Sequence, residues 1–476
     1  MSMVGIISYG VHIPVHRLSR AMIAGAWQTG GPAGERAVAN FDEDSLTMAV
    51  AAARDCLSKI SAPRVDALYF ATTTAPYKEK QGAALIAAVL QCDPETQTLD
   101  FGNCLRSGTS AISAAVNAVA GGAVKTALVC ISDMRLAHPK SYHEMGFGDG
   151  AVALLIGSEH VSAEIEHSHS IFDEIQDVWR SDKDVFIRTA ETRFSEDYGY
   201  TRVVKNAVSK AIKKWNLKPE EFSAVCSNFP NSNNAKRLFS GLGFQPDRQF
   251  QDDLHRSIGD TGTAMSLMYL VRSLEQAKPD QRILISNYGN GCDVMCVKTT
   301  ETIQALKPRS GLTQQLENKI MLNSYNKYLT WRELVEIQPP ARPPVSERQP
   351  TPSAQFRETK GELALNGTRC TVCQTPQYPP QRVCMICKAK DQFVPYDFSQ
   401  AKGKVFTFSH DYVMETLDPP VTLTVVDFDG GGRIMCDMTD RDPDKIRVGM
   451  DIEMTFRRLY YVGGIYNYWW KCKPVC

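Results

Sequence analysis

Neither sign of charge is in excess in this chain: Lys+Arg and Asp+Glu both number 53 among 476 residues. Without a net field there is no whole-chain attraction to phosphate backbones or anionic membranes, which excludes a strongly basic nucleic-acid binder as the default class. No stretch approaches the ~20 consecutive apolar residues that a membrane-spanning helix requires. The opening MSMVGIISYGVHIP lacks a basic segment followed by a long apolar run, so a cytoplasmic protein with no membrane partner is expected. Disorder is excluded by the 43% hydrophobic and 22% charged residues, a balance that buries substantial cores. A secreted disulfide scaffold is excluded as well. Of the 14 cysteines, ten are scattered singly or in pairs and four form a tight paired cluster, a distribution that fits reduced thiols plus a metal.

At this length two or three cores are expected. The clearest boundary is PPARPPVSERQPTPSAQFRE at 339–358, which holds six prolines and almost no large apolar residue and therefore reads as a linker. It sets a large region, 1–307, apart from a C-terminal piece, with a helical connector at 308–338. Apolar runs ending in glycine or polar turns read as buried strands at 65–71, 127–132, 151–156, 223–226, 283–286 and 294–297. Helical spacing or small-residue composition marks 45–60, 109–120, 203–215 and 263–276. Such alternation predicts a layered α/β fold. The order also repeats: a helix, VDALYFATTT, TALVCISD and GAVALLIG are echoed by a helix, FSAVCSNFPN, RILISNYG and DVMCVKTT. A duplicated α/β unit brings strand ends together at one junction, where ligands favour binding.

Cys104 stands in LDFGNCLRSGTSAISAAVNAVAGG, between a strand-like lead and a helix of small residues. A thiol at the amino end of a helix meets unpaired N–H groups and the positive end of the dipole, which favour the nucleophilic thiolate. Together with VGIISYGVHIP, GFGDGAVALLIG and NYGNG, this segment makes residues 1–307 resemble the thiolase superfamily, most of all its hydroxymethylglutaryl-CoA synthase branch and the related ketoacyl synthases. The resemblance implies a duplicated, five-layered thiolase fold, a homodimer, coenzyme A thioesters as substrates, and a cysteine that accepts an acyl group. A parked acyl group is then attacked by an enolate to make a carbon–carbon bond, or the bond is cleaved in reverse.

Three positions depart from the family pattern. Where the resembled branch has a glutamate after the strand, ATTTAPY offers Thr73 or Thr74, and Glu79 lies about six residues too far on. Asn228 in CSNFPN replaces the expected histidine; an amide donates to an oxyanion but takes up no proton at neutral pH. Asp260 in IGDTGTAMS replaces an asparagine. Two readings stay open: Asp260 or His255 is the base, with Asn228 and backbone N–H groups holding the oxyanion, or Asp260 caps a turn and His255 ends a surface helix. His143 is a weaker candidate. The glycines of GFGDG and NYGNG are assigned to close backbone approach rather than to a phosphate loop.

The strongest local motif is Cys370-Thr-Val-Cys373 with Cys384-Met-Ile-Cys387. Two such knuckles converge four thiolates on a structural zinc, with iron as the minority alternative. Short β segments with glycine turns follow, predicting a zinc ribbon at 359–392 and an all-β OB-fold barrel at 393–476. This pair resembles accessory proteins that accompany thiolase-like enzymes, which implies a role at the coenzyme A entrance or in recruiting a separate thiolase partner. Phe456, Arg457, Arg458, Tyr460 and Tyr461 combine aromatics with cations as single-strand binders do; the neutral charge argues against nucleic acid. The functions in view are a hydroxymethylglutaryl-CoA synthase-like acyltransferase, a thiolase-like Claisen or retro-Claisen enzyme on another acyl-CoA, and a non-catalytic acyl-CoA-binding scaffold.

Overall fold

The computed structural model describes residues 3–61, 63–251, 253–306, 311–338 and 351–475. The chain divides into two compact units, the first formed by Met1–Ala39, Asp44–Ala87 and Cys92–Leu322, the second by Asn40–Glu43, Ala88–Gln91 and Asn323–Cys476.

In the first unit the predicted strands assemble into one mixed sheet in the order Phe222–Ser227, Arg282–Tyr288, Gly291–Thr299, Ala163–Phe172, Gly5–His12, Gly150–Gly157, Thr126–Asp133, Ala67–Ala71 and Gln97–Phe101. The expected duplication is visible in the pairing. Gly5–His12, Gly150–Gly157 and Thr126–Asp133 are antiparallel in turn, and Thr126–Asp133 then runs parallel to Ala67–Ala71. Ala163–Phe172, Gly291–Thr299, Arg282–Tyr288 and Phe222–Ser227 repeat that sequence of pairings. Even the fifth strand has a remnant. Gln97–Phe101 lies parallel to Ala67–Ala71, and at its counterpart's place the described residues form a parallel bridge between Val225 and Phe250. Two residue pairs, Gly5 with Glu164 and Ile6 with Ala163, join the halves.

Helices follow the same repeat. Ser45–Leu57, started by a capping box between Asp44 and Thr47, packs on the first half as Arg202–Trp215 packs on the second. Ser107–Ala120 and Met265–Gln276 form the middle layer, where Ala111, Ile112, Ala115, Leu267, Met268 and Val271 share one core with residues of both half-sheets. Small side chains at 111, 114 and 115 let the middle helix lie close to its neighbours. This is the α/β/α/β/α layering of a thiolase fold.

Two expectations need correction. The helical connector expected at 308–338 is, over the described residues 311–338, only partly helical. Leu312–Glu317 and Tyr325–Trp331 are separate helices with a short strand, Ile320–Met321, between them, and that strand pairs with His16–Ser19. Of the stretch read as linker, 339–350 lies outside the described residues, whereas Pro352–Glu362 is a helix. The reason is local: Thr351 caps the Ala354 N–H and Pro352 takes the first helical position, where a missing N–H costs nothing.

The second unit carries a three-stranded sheet of Pro376–Gln377, Asn366–Cys370 and Phe393–Asp397, and a five-stranded sheet in the order Arg433–Asp437, Val421–Phe428, Gly403–Asp411, Asp451–Val462 and Ile465–Pro474. A bridge between Met438 and Cys472 brings the ends of the larger sheet together, and Val405, Val426, Ile434, Met454, Phe456 and Trp470 fill its interior. Arg457, also buried, meets Asp42 and Glu43 at 3.1 Å each and ion-pairs with Asp440, while Lys471 reaches Asp42 at 3.0 Å. Phe456 and Arg457 are therefore interior residues, not part of an exposed aromatic–cation stripe. Among the described residues no helix is long and apolar enough to cross a membrane.

Candidate active site

The duplication places two equivalent turns side by side, one ahead of each middle helix. Cys104 occupies the first, two residues before the N-cap residue Arg106, and is half-buried. Asn103 enters this turn with a left-handed φ of 73°, a conformation that Asn tolerates better than most residues. The Ser107 N–H closes the turn on the Cys104 carbonyl at 3.1 Å. Asp260 occupies the second turn, ahead of Met265–Gln276.

Each turn is tied to the opposite half by a residue at or near a strand end. Asp133, fully buried, accepts at Oδ2 from the Thr263 N–H at 2.9 Å. Its Oδ1 accepts from Thr73 N at 2.7 Å and from the hydroxyls of Thr72, Thr73 and Thr74 at 3.0, 3.0 and 3.1 Å. In the other direction Asn287 donates to the Leu105 carbonyl at 2.9 Å. Arg106 adds bonds to the Gly289 and Asn290 carbonyls at 2.6 and 3.0 Å and an ion pair with Asp293 at 2.9 Å. Gly289 comes so near that a Cβ would lie 3.1–3.2 Å from Leu105 and the Arg106 N. Of the glycines of GFGDG, Gly148 acts likewise, whereas a Cβ on Gly146 would meet nothing within 4 Å, so close approach does not account for that glycine. A Cβ on Gly148 would lie 1.8 Å from the Ile258 carbonyl, and Gly148 N–H donates to the Asp260 carbonyl at 2.9 Å.

A cavity of about 270 Å³ opens between the turns, with walls from both halves. Asn228, His255 and Asp260 all line it, as does His143; Cys104 is not itself a wall residue, but Leu105 beside it is. Asp260 caps a turn and also faces the cavity. Its Oδ1 accepts from the Gly262 N–H at 2.9 Å, as a turn cap does, while Oδ2 faces Arg135 at 3.2 Å on the cavity wall. His255 is no surface helix end: its ring packs, tilted, against Phe229 with centroids 4.7 Å apart, and its Nε2 is buried without a partner. Burial lowers its pKa below the usual imidazole value, against the opposing pull of Asp260 and Asp253. His143, stacked on Phe147 at 5.2 Å, is also lowered, by burial and then by Arg135. Both rings are thus held in the neutral, proton-accepting form at neutral pH.

Asn228 is more constrained than its sequence position implied. Its Nδ2 donates to the Tyr288 carbonyl at 2.8 Å and its Oδ1 accepts from the Tyr288 N–H at 2.7 Å, leaving one amide N–H for any ligand. Tyr288 in turn donates to Asp177 at 2.5 Å. Asp133, Arg135, Tyr288 and Arg20 escaped sequence reasoning. The only signals were a polar residue ending an apolar strand, in TALVCISD and RILISNY, and an arginine opening a short helix. By contrast Cys56, Cys226 and Cys292 are fully buried and desolvation pushes each up to about 12, which makes them inert packing groups.

In the second unit the four sulfurs of Cys370, Cys373, Cys384 and Cys387 lie within 4.8 Å of one another. Pairs at 3.5 and 3.6 Å approach the ~3.8 Å edge of a tetrahedron with ~2.3 Å metal–sulfur bonds. The knuckles are near copies. Gln374 and Lys388, each following a second cysteine, have φ of 63° and 62° and donate to the Cys370 and Cys384 carbonyls at 2.9 and 3.1 Å. The donor set fits a single soft tetrahedral ion.

Comparison with known proteins agrees with this fold. Residues 396–457 match the family model described as the ChsH2 C-terminal OB-fold domain. A hydroxymethylglutaryl-CoA synthase of Aeropyrum pernix is 31% identical over 329 residues, covering 66% of this chain and 90% of that protein. The Methanopyrus kandleri protein of the same name is 27% identical over 346 residues, covering 70% and 98%. The solved structure of MvaS in complex with 3-hydroxy-3-methylglutaryl coenzyme A superposes with a TM-score of 0.61 at 20% identity, over 72% of this chain and 95% of that one. The chain belongs to the hydroxymethylglutaryl-CoA synthase family, acyltransferases of the thiolase superfamily.

Proposed function

We propose that the protein makes or breaks a carbon–carbon bond between acyl-CoA substrates through a covalent acyl-Cys104 intermediate. The observation that carries this reading is the position of Cys104: a half-buried thiol in the turn ahead of a middle helix, one residue from the wall of a cavity built by both halves. Sulfur attacks the thioester carbonyl, the coenzyme A thiolate leaves, and the acyl group stays on the protein. The exchange is nearly isoenergetic because one thioester replaces another. A neutral His255 then takes the α-proton of the second substrate, and the resulting enolate attacks the parked acyl carbon, forming the carbon–carbon bond as the carbon–sulfur bond breaks and the Cys104 thiolate leaves. Asp260, paired with Arg135, steadies the imidazolium so formed, and the remaining Asn228 N–H serves the developing oxyanion.

In this reading zinc bound by Cys370, Cys373, Cys384 and Cys387 is structural, since four thiolates leave no position for water. The strand Gln97–Phe101, with Leu99 exposed and, among the described residues, no strand on its outer side, supports assembly as a homodimer, because bare edges invite pairing. The exposed knuckle tips Val372, Met385 and Ile386 support recruitment of a separate thiolase by the second unit. The test is intact mass after incubation with acetyl-CoA and other short acyl-CoAs. An acyl adduct that Cys104→Ala abolishes is expected, and its absence with every acyl-CoA tried sinks the covalent mechanism.

A further inference from the structure

Arg20, the first residue of the Arg20–Trp27 helix, lines the cavity and is only 7% exposed. One guanidinium N–H donates to the His255 carbonyl. Nε has no partner, and among the described residues no carboxylate lies within 4.0 Å of Arg20. Asp253 acts on it only at longer range, and Arg36 and Arg256 add charge of the same sign, while burial depresses its pKa. A guanidinium keeps its proton even so. A buried cation without a counter-ion is costly in an empty site, and an anion arriving in the cavity relieves that cost. The guanidinium lining the cavity suits a carboxylate, which accepts from Arg through two parallel bonds.

We infer that Arg20 selects an acyl thioester whose acyl chain ends in a carboxylate, holding that end while the thioester lies toward the Cys104 turn. The inference rests on the acyl-CoA reading above. A coenzyme A phosphate is the other anion such a substrate brings, but phosphates favour hydrated surroundings, and Pro32, Phe147 and Phe229 line the same cavity as Arg20. The two sources separate experimentally, because acidic and neutral acyl-CoAs share the same phosphates.

Binding is measured by calorimetry in Cys104→Ala protein, where no acyl transfer intervenes, with malonyl-, succinyl- and glutaryl-CoA against propionyl-, butyryl- and valeryl-CoA, in which methyl replaces carboxylate. At least one acid is expected to bind tenfold or more tighter than its methyl counterpart. Adding Arg20→Met should bring that ratio to twofold or less, and Arg20→Lys should leave it intermediate. The ratio is taken within one protein, so it is insensitive to a loss of active fraction, and the lysine variant carries the test if the methionine variant does not fold. The inference is overturned if no acid outbinds its counterpart, or if Arg20→Met weakens acids and neutral thioesters alike, which assigns Arg20 to a phosphate. If the acid preference holds while wild-type protein forms no adduct, the covalent mechanism falls and the specificity stands.

Discussion

Replacing Asp133 is the sharpest test of how the two halves are locked around the cavity. Its carboxylate takes five hydrogen bonds in a position without solvent access, two from the backbone N–H groups of Thr73 and Thr263 and three from threonine hydroxyls. In Asp133→Ala the hydroxyls can turn toward one another, since Thr72 and Thr74 already lie 3.3 Å apart. The two N–H groups have no such freedom. Each buried donor left unpaired costs ~1–3 kcal/mol, so a loss of roughly 2–6 kcal/mol is expected. Asp133→Asn keeps Oδ1 but sets an amide N–H against the Thr263 N–H, for about 1–3 kcal/mol. Because the bonds fasten Thr72–Thr74 to the turn at 260–263, the loss should be local. Hydrogen exchange read by mass spectrometry should show peptides over both segments opening roughly 30- to 20,000-fold more readily in the alanine variant, at 1.4 kcal/mol per factor of ten. Peptides of the OB-fold barrel should be unchanged. If both segments keep their protection within threefold in Asp133→Ala, the reasoning that this carboxylate holds the halves together is refuted.

Gly148→Ala places a Cβ 1.8 Å from the Ile258 carbonyl; backbone cannot yield there cheaply, so a loss of ~1–3 kcal/mol or more is expected in chemical denaturation, with adduct formation falling alongside it. The lowered pKa values of His255 and His143 fix a sign: between those values and the ordinary 6.5 the unfolded chain binds more protons than the folded one, so stability rises with pH. Melting temperature should therefore fall as pH drops from 7 to 5, and a combined His143→Phe, His255→Phe variant should lose less over the same interval; an equal or steeper loss counts against the assignment. Metal analysis should find one zinc per chain, and Cys384→Ser should remove it and unfold the 366–397 sheet while leaving exchange protection of the 126–133 strand intact.

Much of the site was readable because backbone geometry leaves its mark on residue type. Gly148 is required by an approach that admits no Cβ, and Gly289 by one that leaves a Cβ little room, and the Cys104 turn announced itself by the small-residue helix behind it. The four knuckle cysteines were readable for a similar reason, their spacing being the geometry. What sequence did not disclose are pairings made across the fold. Asp133 meets Thr263 across 130 positions, and Asn228 meets Tyr288 across 60. No local pattern marks either partner, so Asn228 read as a free amide when most of it is spent on backbone. Nothing in the sequence singles out Arg20, whose partner, the His255 carbonyl, lies 235 positions away. The helix at 352–362 was hidden by composition: proline content signalled a linker, but Pro352 sits where a helix accepts it.

The buried charge cluster around Arg457 bears on how this protein can be dissected. A fragment beginning at Asn323 keeps Arg457, Asp440 and Lys471 but lacks Asp42 and Glu43, the acids that meet Arg457 at 3.1 Å and, through Asp42, Lys471 at 3.0 Å. Removing one side of a buried ion pair typically costs 3–5 kcal/mol, a large share of what a small β barrel has to lose. An isolated C-terminal piece that precipitates or melts early would thus report a missing tetrapeptide from the far end of the chain, not a barrel that is weak in its native setting.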